Sequence, residues 1–123
     1  MNYEKNQLLI NELNVCATLC NKCAIACLDE EEVKMMVTCI KLSIDCAEYC
    51  KLTAGFVARG SAHAMHLMKE CIDLCISCAE ECEKHAEHGM QHCKDCADAC
   101  RKCAEACNNM LTENEMVKAR TFN

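Results

Sequence analysis

Apolar residues recur three and four positions apart through four long stretches of this chain, with polar residues between them. The first seam reads Leu9, Leu13, Cys16, Cys20, Cys23 and Cys27; the third reads Ala64, Met68, Cys71, Cys75, Cys78 and Cys82. The fourth runs Cys93, Cys96, Cys100, Cys103, Cys107 and Met110, and the second is thinner, with Cys39, Cys46, Cys50, Thr53 and Val57. Steps of three and four place side chains on one face of an α-helix, at the a and d positions of a heptad. Glu80, Glu81, Glu83, Lys94 and Asp95 fall between the seam positions and form a wetted outer face. The pattern therefore predicts four helices whose inward faces are written largely in cysteine.

Capping residues set the expected limits. Helix 1 is expected over about 4–28, and Asp29 with Glu32 reads as a capping box opening helix 2 over about 30–58. Gly55 weakens helix 2 and Gly60 ends it, Ser61 caps helix 3 over about 61–88, and Gly89 provides a left-handed C-cap. Helix 4 is expected over about 90–109, and Thr112 with Glu115 suggests a separate tail helix at about 113–120. Short connections force antiparallel neighbours, so the expected fold class is all-α, an up-down-up-down four-helix bundle forming one domain over 1–123. Helices 1, 3 and 4 each repeat C-x3-C-x2-C-x3-C, a repeat of ligand spacing rather than of a solenoid unit.

The two ends of such a bundle differ. Toward the termini the seams continue as Leu13 and Leu9, Thr53 and Val57, Met68 and Ala64, and Met110, which makes an apolar plug. At the other end helix 3 continues to His85 with His88 beyond, helix 2 begins at Met35 and Met36, and helix 4 is approached past Met90 and His92. A sealed floor and a mouth lined by imidazole and thioether describe a container. His63, Met65 and His66 fall at the plugged end as surface or packing residues, and Leu42, Tyr49 and Phe56 pack between helices.

Composition sharpens this. Sixteen of 123 residues are Cys and the 52% apolar fraction counts them, so the thiols must supply much of the core. Free Cys is a small, readily buried hydrophobe, and a thiol interior can fold without metal. No proline and only three glycines suit long helices and fit a loop-rich disulfide scaffold poorly. A net charge of −6 without a basic patch argues against nucleic acid, and no apolar run approaches a membrane span. The start MNYEKNQLLINEL has no signal-peptide core, so a cytosolic location with reduced thiols is expected.

The candidate ligands are the sixteen cysteines, with His85, His88, His92, Met35 and Met36 at the mouth. Seven C-x3-C pairs can be drawn, at 16/20, 23/27, 46/50, 71/75, 78/82, 96/100 and 103/107, leaving Cys39 and Cys93 near the mouth. Cβ atoms four apart on a helix lie about 5–6 Å apart, too far for a disulfide but suited to two sulfurs leaning on one ion. Met35, four residues before Cys39, is placed to complete a mixed site with it, although Met35 and Met36 read equally as core packing; His88 and His92, also four apart, read either as sharing a metal or as a solvated loop. Soft thiolates favour Cu(I), Zn(II) or iron–sulfur clusters, and Cu(I) alone is content with two or three ligands. Charge decides more sharply. Sixteen buried thiolates need nearly one-for-one neutralisation, which a univalent ion achieves, giving on the order of sixteen Cu(I) per chain. Four tetrahedral zinc sites with unshared thiolates would bury about eight excess negative charges, which disfavours zinc; bridged clusters reduce that excess, so a zinc or general heavy-metal buffer stays as the alternative reading.

The C-x3-C-x2-C-x3-C helices, CIKLSIDCAEYC, and ECEKHAEHGMQHCKDCADACRKCAEAC across the last turn resemble the copper storage proteins, and most the cytosolic bacterial branch. The resemblance covers about residues 12–110. It implies a homotetramer of four-helix bundles holding many Cu(I) ions, reached past His and Met at one end, with a copper chaperone or small-molecule thiol as the class of donor. Members with more cysteines are usual, and a mouth position associated with histidines reads Met35-Met36 here.

Other readings fare worse. A metal-free thiol core would not select Cys over Leu at so many seam positions, since a thiol buries less apolar area. Ferredoxin cysteine runs use loop geometry and a proline that this chain lacks. The C-x2-C steps lack the strand that a thioredoxin site needs. No nucleophile–base pair or open metal position points to an enzyme.

Overall fold

The computed structural model describes residues 3–122, with side chains to 116. Four helices follow in order: α1 over Tyr3–Leu28, α2 over Val37–Ala58, α3 over Ala64–Ala86 and α4 over Gln91–Phe122. A 3-10 turn, Val33–Met36, leads into α2. Each helix packs against the two neighbours it meets around a square, α1 on α2 and α4, α3 on α2 and α4. Only side chains span the diagonals.

The seam positions are the core. All sixteen cysteines are fully buried, and Leu9, Leu13, Val57, Ala64, Met68, Met110 and Leu111 close the floor below them. Close approach of the helices has its own sequence cause. Ala17, Ala24, Ala47, Ala79, Ala97 and Ala104 each follow a cysteine directly, and all are buried. A methyl beside each seam lets neighbouring backbones draw together until sulfurs touch, much as small residues do in other tightly packed helix pairs. Thr53, buried in the floor, satisfies its hydroxyl by donating to the Tyr49 carbonyl at 2.8 Å. On the outside, Arg101 forks onto Glu83 at 2.8 and 3.0 Å, tying α4 to α3.

Several helix limits differ from expectation. Helix 2 does not open at residue 30: the chain turns through Asp29–Glu32, and neither the 3-10 turn nor α2 has a side-chain cap bond. The Glu30 carboxylate is engaged elsewhere, on His92 at 2.9 Å. Helix 3 begins at Ala64 rather than 61, and ends at Ala86 rather than 88. Ser61 instead heads a preceding turn, its hydroxyl accepting from the His63 N–H at 3.1 Å. There is no separate tail helix. Helix α4 runs unbroken to Phe122, because Thr112 bonds back to the Asn108 carbonyl at 2.9 Å and so does not cap a new helix. Gly60 acts as read, with φ +64° and the Ser61 N–H reaching the Phe56 carbonyl at 3.0 Å, a six-to-one closure. Gly89 is also left-handed, φ +86°, but lies three residues past Ala86, its N–H closing a turn on the Ala86 carbonyl at 2.9 Å, and Glu87 takes the cap position.

Candidate metal centre

Antiparallel α-helices with sulfur at a and d bring thiols from every side onto one axis. Along a helix, Cys16–Cys20, Cys23–Cys27, Cys46–Cys50 and Cys71–Cys75 stand 3.8–4.0 Å apart, sulfur to sulfur. Between helices the spacing is as short or shorter. Cys39–Cys82 and Cys20–Cys96 lie at 3.5 Å, Cys46–Cys75 and Cys20–Cys100 at 3.6 Å, and Cys50–Cys71 at 3.7 Å. Diagonal sulfurs meet too, Cys46–Cys100 and Cys50–Cys103 both at 3.9 Å. The seven intrahelical pairs drawn from spacing are thus parts of a three-dimensional lattice rather than separate two-sulfur sites.

Within that lattice, sets of four sulfurs lie within 4.8 Å of one another. One is Cys23, Cys27, Cys39 and Cys93 near the mouth; another is Cys16, Cys46, Cys50 and Cys75 in the middle; a third is Cys50, Cys71, Cys75 and Cys103 toward the floor. Each draws on at least three helices, so the tertiary fold and not local sequence assembles them. Such spacing suits soft ions bridged by shared thiolates.

Ionisation of these thiols is collective. Cys100 is pushed far up, chiefly by its contact with Cys16 and also by burial, while Cys16 is drawn down, chiefly by its contact with Cys100. The physical content is simple: a thiolate survives here only where its neighbours remain protonated and donate to it. A second charge nearby, in a medium that screens little, demands a cation.

At the mouth the structure sorts the candidates. His92 is three-quarters buried, and its Nδ1 faces Cys93, Cys23 and Cys27 sulfurs at 3.5, 3.6 and 3.9 Å. Its Nε2 lies 2.9 Å from Glu30 Oε1. A carboxylate can only accept, so Nε2 carries the proton and the Nδ1 lone pair points at the sulfurs. Burial opposes protonation of this ring, but the contacts with Cys23 and Glu30 outweigh it, and its pKa is raised. His85 is buried at 9% exposure, and its Nε2 donates to Glu81 Oε2 at 2.9 Å. Met36, the last residue of the 3-10 turn, is buried at 1% exposure.

Two candidates are not brought in. Met35 is 67% exposed, because the 3-10 turn breaks the four-residue helical relation to Cys39 and aims the side chain outward. His88 is exposed, and the turn through Gly89 removes its one-turn relation to His92.

Three participants escaped sequence reasoning. Glu81, expected on the wetted outer face, is instead turned in, its side chain 15% exposed and bonded to His85 one turn along α3, a spacing that made the pair findable. Ser43 was also findable, since it occupies the seam position four after Cys39 and three before Cys46; it is fully buried, with Oγ 3.8 Å from Cys78 Sγ. Glu30 gave no local signal, since its partner lies 62 residues away.

Residues 2–112 match the profile of the copper storage protein family. Solved structures agree. A cytosolic copper storage protein from Streptomyces lividans with five coppers is 35% identical over 89% of this chain and 93% of that one, with a TM-score of 0.85. Another structure of the Streptomyces lividans protein, loaded with 10 copper equivalents, is 35% identical over 89% and 85% with the same TM-score. The apo form of copper storage protein 3 from Bacillus subtilis is 33% identical over 85% and 97%, with a TM-score of 0.78. No curated protein matches significantly.

Proposed function

The chain belongs to the copper storage protein family, and from that premise we propose that its core thiols hold Cu(I), on the order of one ion per cysteine. The observation that carries this reading is the lattice of sixteen fully buried sulfurs in mutual contact, with four-sulfur sets inside 4.8 Å. Cu(I) reaches the mouth, meets the His92 Nδ1 lone pair with Cys23, Cys27 and Cys93, and passes inward by exchange of one sulfur for the next. Each thiol that binds gives its proton to solvent. His85 and Met36 flank this path; Met35 and His88 stand outside it and are the least favoured of the ligands expected from sequence.

The role is storage or buffering, without catalysis. A cytoplasmic location follows the Streptomyces lividans relative, described as cytosolic, and no helix among the described residues is long and apolar enough to cross a membrane. Leu8, Val15, Ile44 and Leu52, all about half exposed or more on α1 and α2, support assembly of bundles into a homotetramer. A copper chaperone or a small-molecule thiol is the donor class.

The test is titration of fully reduced apo-protein with Cu(I) against a chromophoric chelator. Saturation near sixteen ions is expected. Saturation after one or two, or about four zinc ions that Cu(I) does not displace, would overturn the reading.

A further inference from the structure

The S–H···S contacts of 4.0 Å or less do not form one network but two, with Cys107 beside the floor outside both. At the mouth, Cys39–Cys82 (3.5 Å), Cys27–Cys39 (3.9 Å), Cys23–Cys27 (3.8 Å) and Cys23–Cys93 (4.0 Å) join five sulfurs, and the His92 ring closes over them. The second network begins one level deeper, where Cys20–Cys96 (3.5 Å) and Cys78–Cys96 (4.0 Å) connect through Cys20–Cys100 (3.6 Å) to the sulfurs nearer the floor. Only weaker thiol–thiol interactions, outside the close contacts above, cross the gap: Cys82 with Cys78 and Cys96, and Cys23 with Cys96.

Ser43 sits at this break. It holds the one seam position of α2 between Cys39 and Cys50 that lacks sulfur, leaving a seven-residue step, about 10 Å of helix, from Cys39 to Cys46. Its hydroxyl behaves unlike those of three helical threonines. Thr18, Thr53 and Thr112 each donate to the carbonyl four residues back, at 2.8–3.0 Å, whereas Ser43 Oγ is directed to Cys78 Sγ at 3.8 Å. A neutral, hard hydroxyl is a poor ligand for a soft univalent ion, though it can hydrogen-bond a thiolate beside it. Clusters that grow by sharing sulfurs between neighbouring ions stop where the next sulfur is missing.

We propose that the stored Cu(I) is divided into two pools, a mouth pool on Cys23, Cys27, Cys39, Cys82 and Cys93 under His92 and a deep pool on the remaining cysteines, with Ser43 the residue that separates them. This rests on the Cu(I) reading above. The mouth pool exchanges directly with donors and acceptors, and the deep pool is the long-term store, reached only when an ion crosses the Ser43 level.

The experiment is removal of copper from the fully loaded, full-length protein by excess chromophoric Cu(I) chelator, followed by absorbance. The wild type is expected to release in two phases, the fast one carrying about a third of the copper if each thiolate holds one ion. Ser43→Cys supplies the missing sulfur, so it should bind about one more ion and either merge the phases or enlarge the fast fraction. Ser43→Ala keeps the gap and should keep both phases. Cys39→Ser should lower the fast amplitude alone. A single phase in the wild type, an unchanged fast fraction in Ser43→Cys, merged phases in Ser43→Ala, or loss of slow amplitude in Cys39→Ser would each overturn the two-pool arrangement. Should Ser43→Cys fail to fold by circular dichroism, the wild type, Ser43→Ala and Cys39→Ser decide. Total copper released reports capacity separately: near sixteen with one phase sinks only the division, whereas one or two ions sink the Cu(I) reading itself.

Discussion

Replacing Glu30 by Gln isolates what the mouth carboxylate contributes. Glu30 accepts from His92 Nε2 at 2.9 Å, which fixes the ring so that Nδ1 faces Cys93 and Cys23 at 3.5 and 3.6 Å. Gln keeps the size but offers an amide that can donate as well as accept, so the tautomer with Nδ1 protonated becomes competitive and the lone pair turns away from the sulfurs. Partners that orient a metal-binding histidine are worth about 10–100-fold in affinity or activity. With the Glu30 and His92 side chains 32% and 23% exposed, water shares in the pair, and the lower end applies. The expected loss is about tenfold in the rate of first-copper uptake, or about 1.4 kcal/mol. Capacity should not change, because all sixteen sulfurs remain in place.

Stopped-flow transfer of Cu(I) from a weak chromophoric complex reads the rate, and the end point reads capacity. The control is a double-mutant cycle. Because Glu30 acts through His92, Glu30→Gln should add nothing once His92 is Ala. A Glu30→Gln protein that loads as fast as wild type refutes the reasoning, and so does one whose defect persists in full beside His92→Ala.

Three further outcomes follow from the same structure. Cys100 is pushed up by its contact with Cys16 and by burial, so it enters neutral pH protonated and metallation must expel that proton; apparent Cu(I) affinity should rise with pH, by up to about tenfold per unit for each proton displaced, in competition titrations at two pH values. Leu13, fully buried in the floor, should cost about 2–5 kcal/mol of apo-protein stability as Leu13→Ala, read by urea unfolding under reducing conditions, with copper capacity retained. Gly60→Ala forces a side chain to φ +64° and should cost about 1–2 kcal/mol in the same assay, although no atom blocks the new methyl.

Periodicity made the fold legible because a buried seam at steps of three and four runs through every helix and the connections are short. What it missed is instructive. The capping boxes at Asp29/Glu32 and Thr112/Glu115 had the right local pattern, yet Glu30 in the first turn is drawn to a histidine on another helix and Thr112 bonds back within α4, so a tertiary partner bears on the first and a local backbone bond decides the second. The ligand spacing identified the sulfurs, but the pairs drawn along each helix understated contacts that only antiparallel packing creates, such as Cys39–Cys82. Ser43 was hidden for another reason: searching a seam for cysteine skips the position where cysteine is absent, and that position lies at the break in the sulfur network. The Met35-Met36 pair could not be resolved from sequence because one residue of rotation in a 3-10 turn separates a buried thioether from an exposed one.

The thiol core and its cargo are compatible for a reason of charge. In the apo-protein the sulfurs are neutral, small and mutually hydrogen-bonded, so they pack as hydrophobes between flanking alanines, and the apolar floor of Leu9, Leu13, Val57 and Met68 anchors the helices without metal. Loading one univalent ion per thiol exchanges H⁺ for Cu⁺ with no change in the net charge of the interior. A divalent ion matches this only at one ion per two thiols with extensively shared sulfurs; four unshared thiolates around each ion leave two excess negative charges per site, and buried uncompensated charge is what a bundle of this kind tolerates least. The bundle therefore has no electrostatic need to open or rearrange between empty and full. The barrier to filling lies in access and in the missing sulfur at Ser43, rather than in the fold.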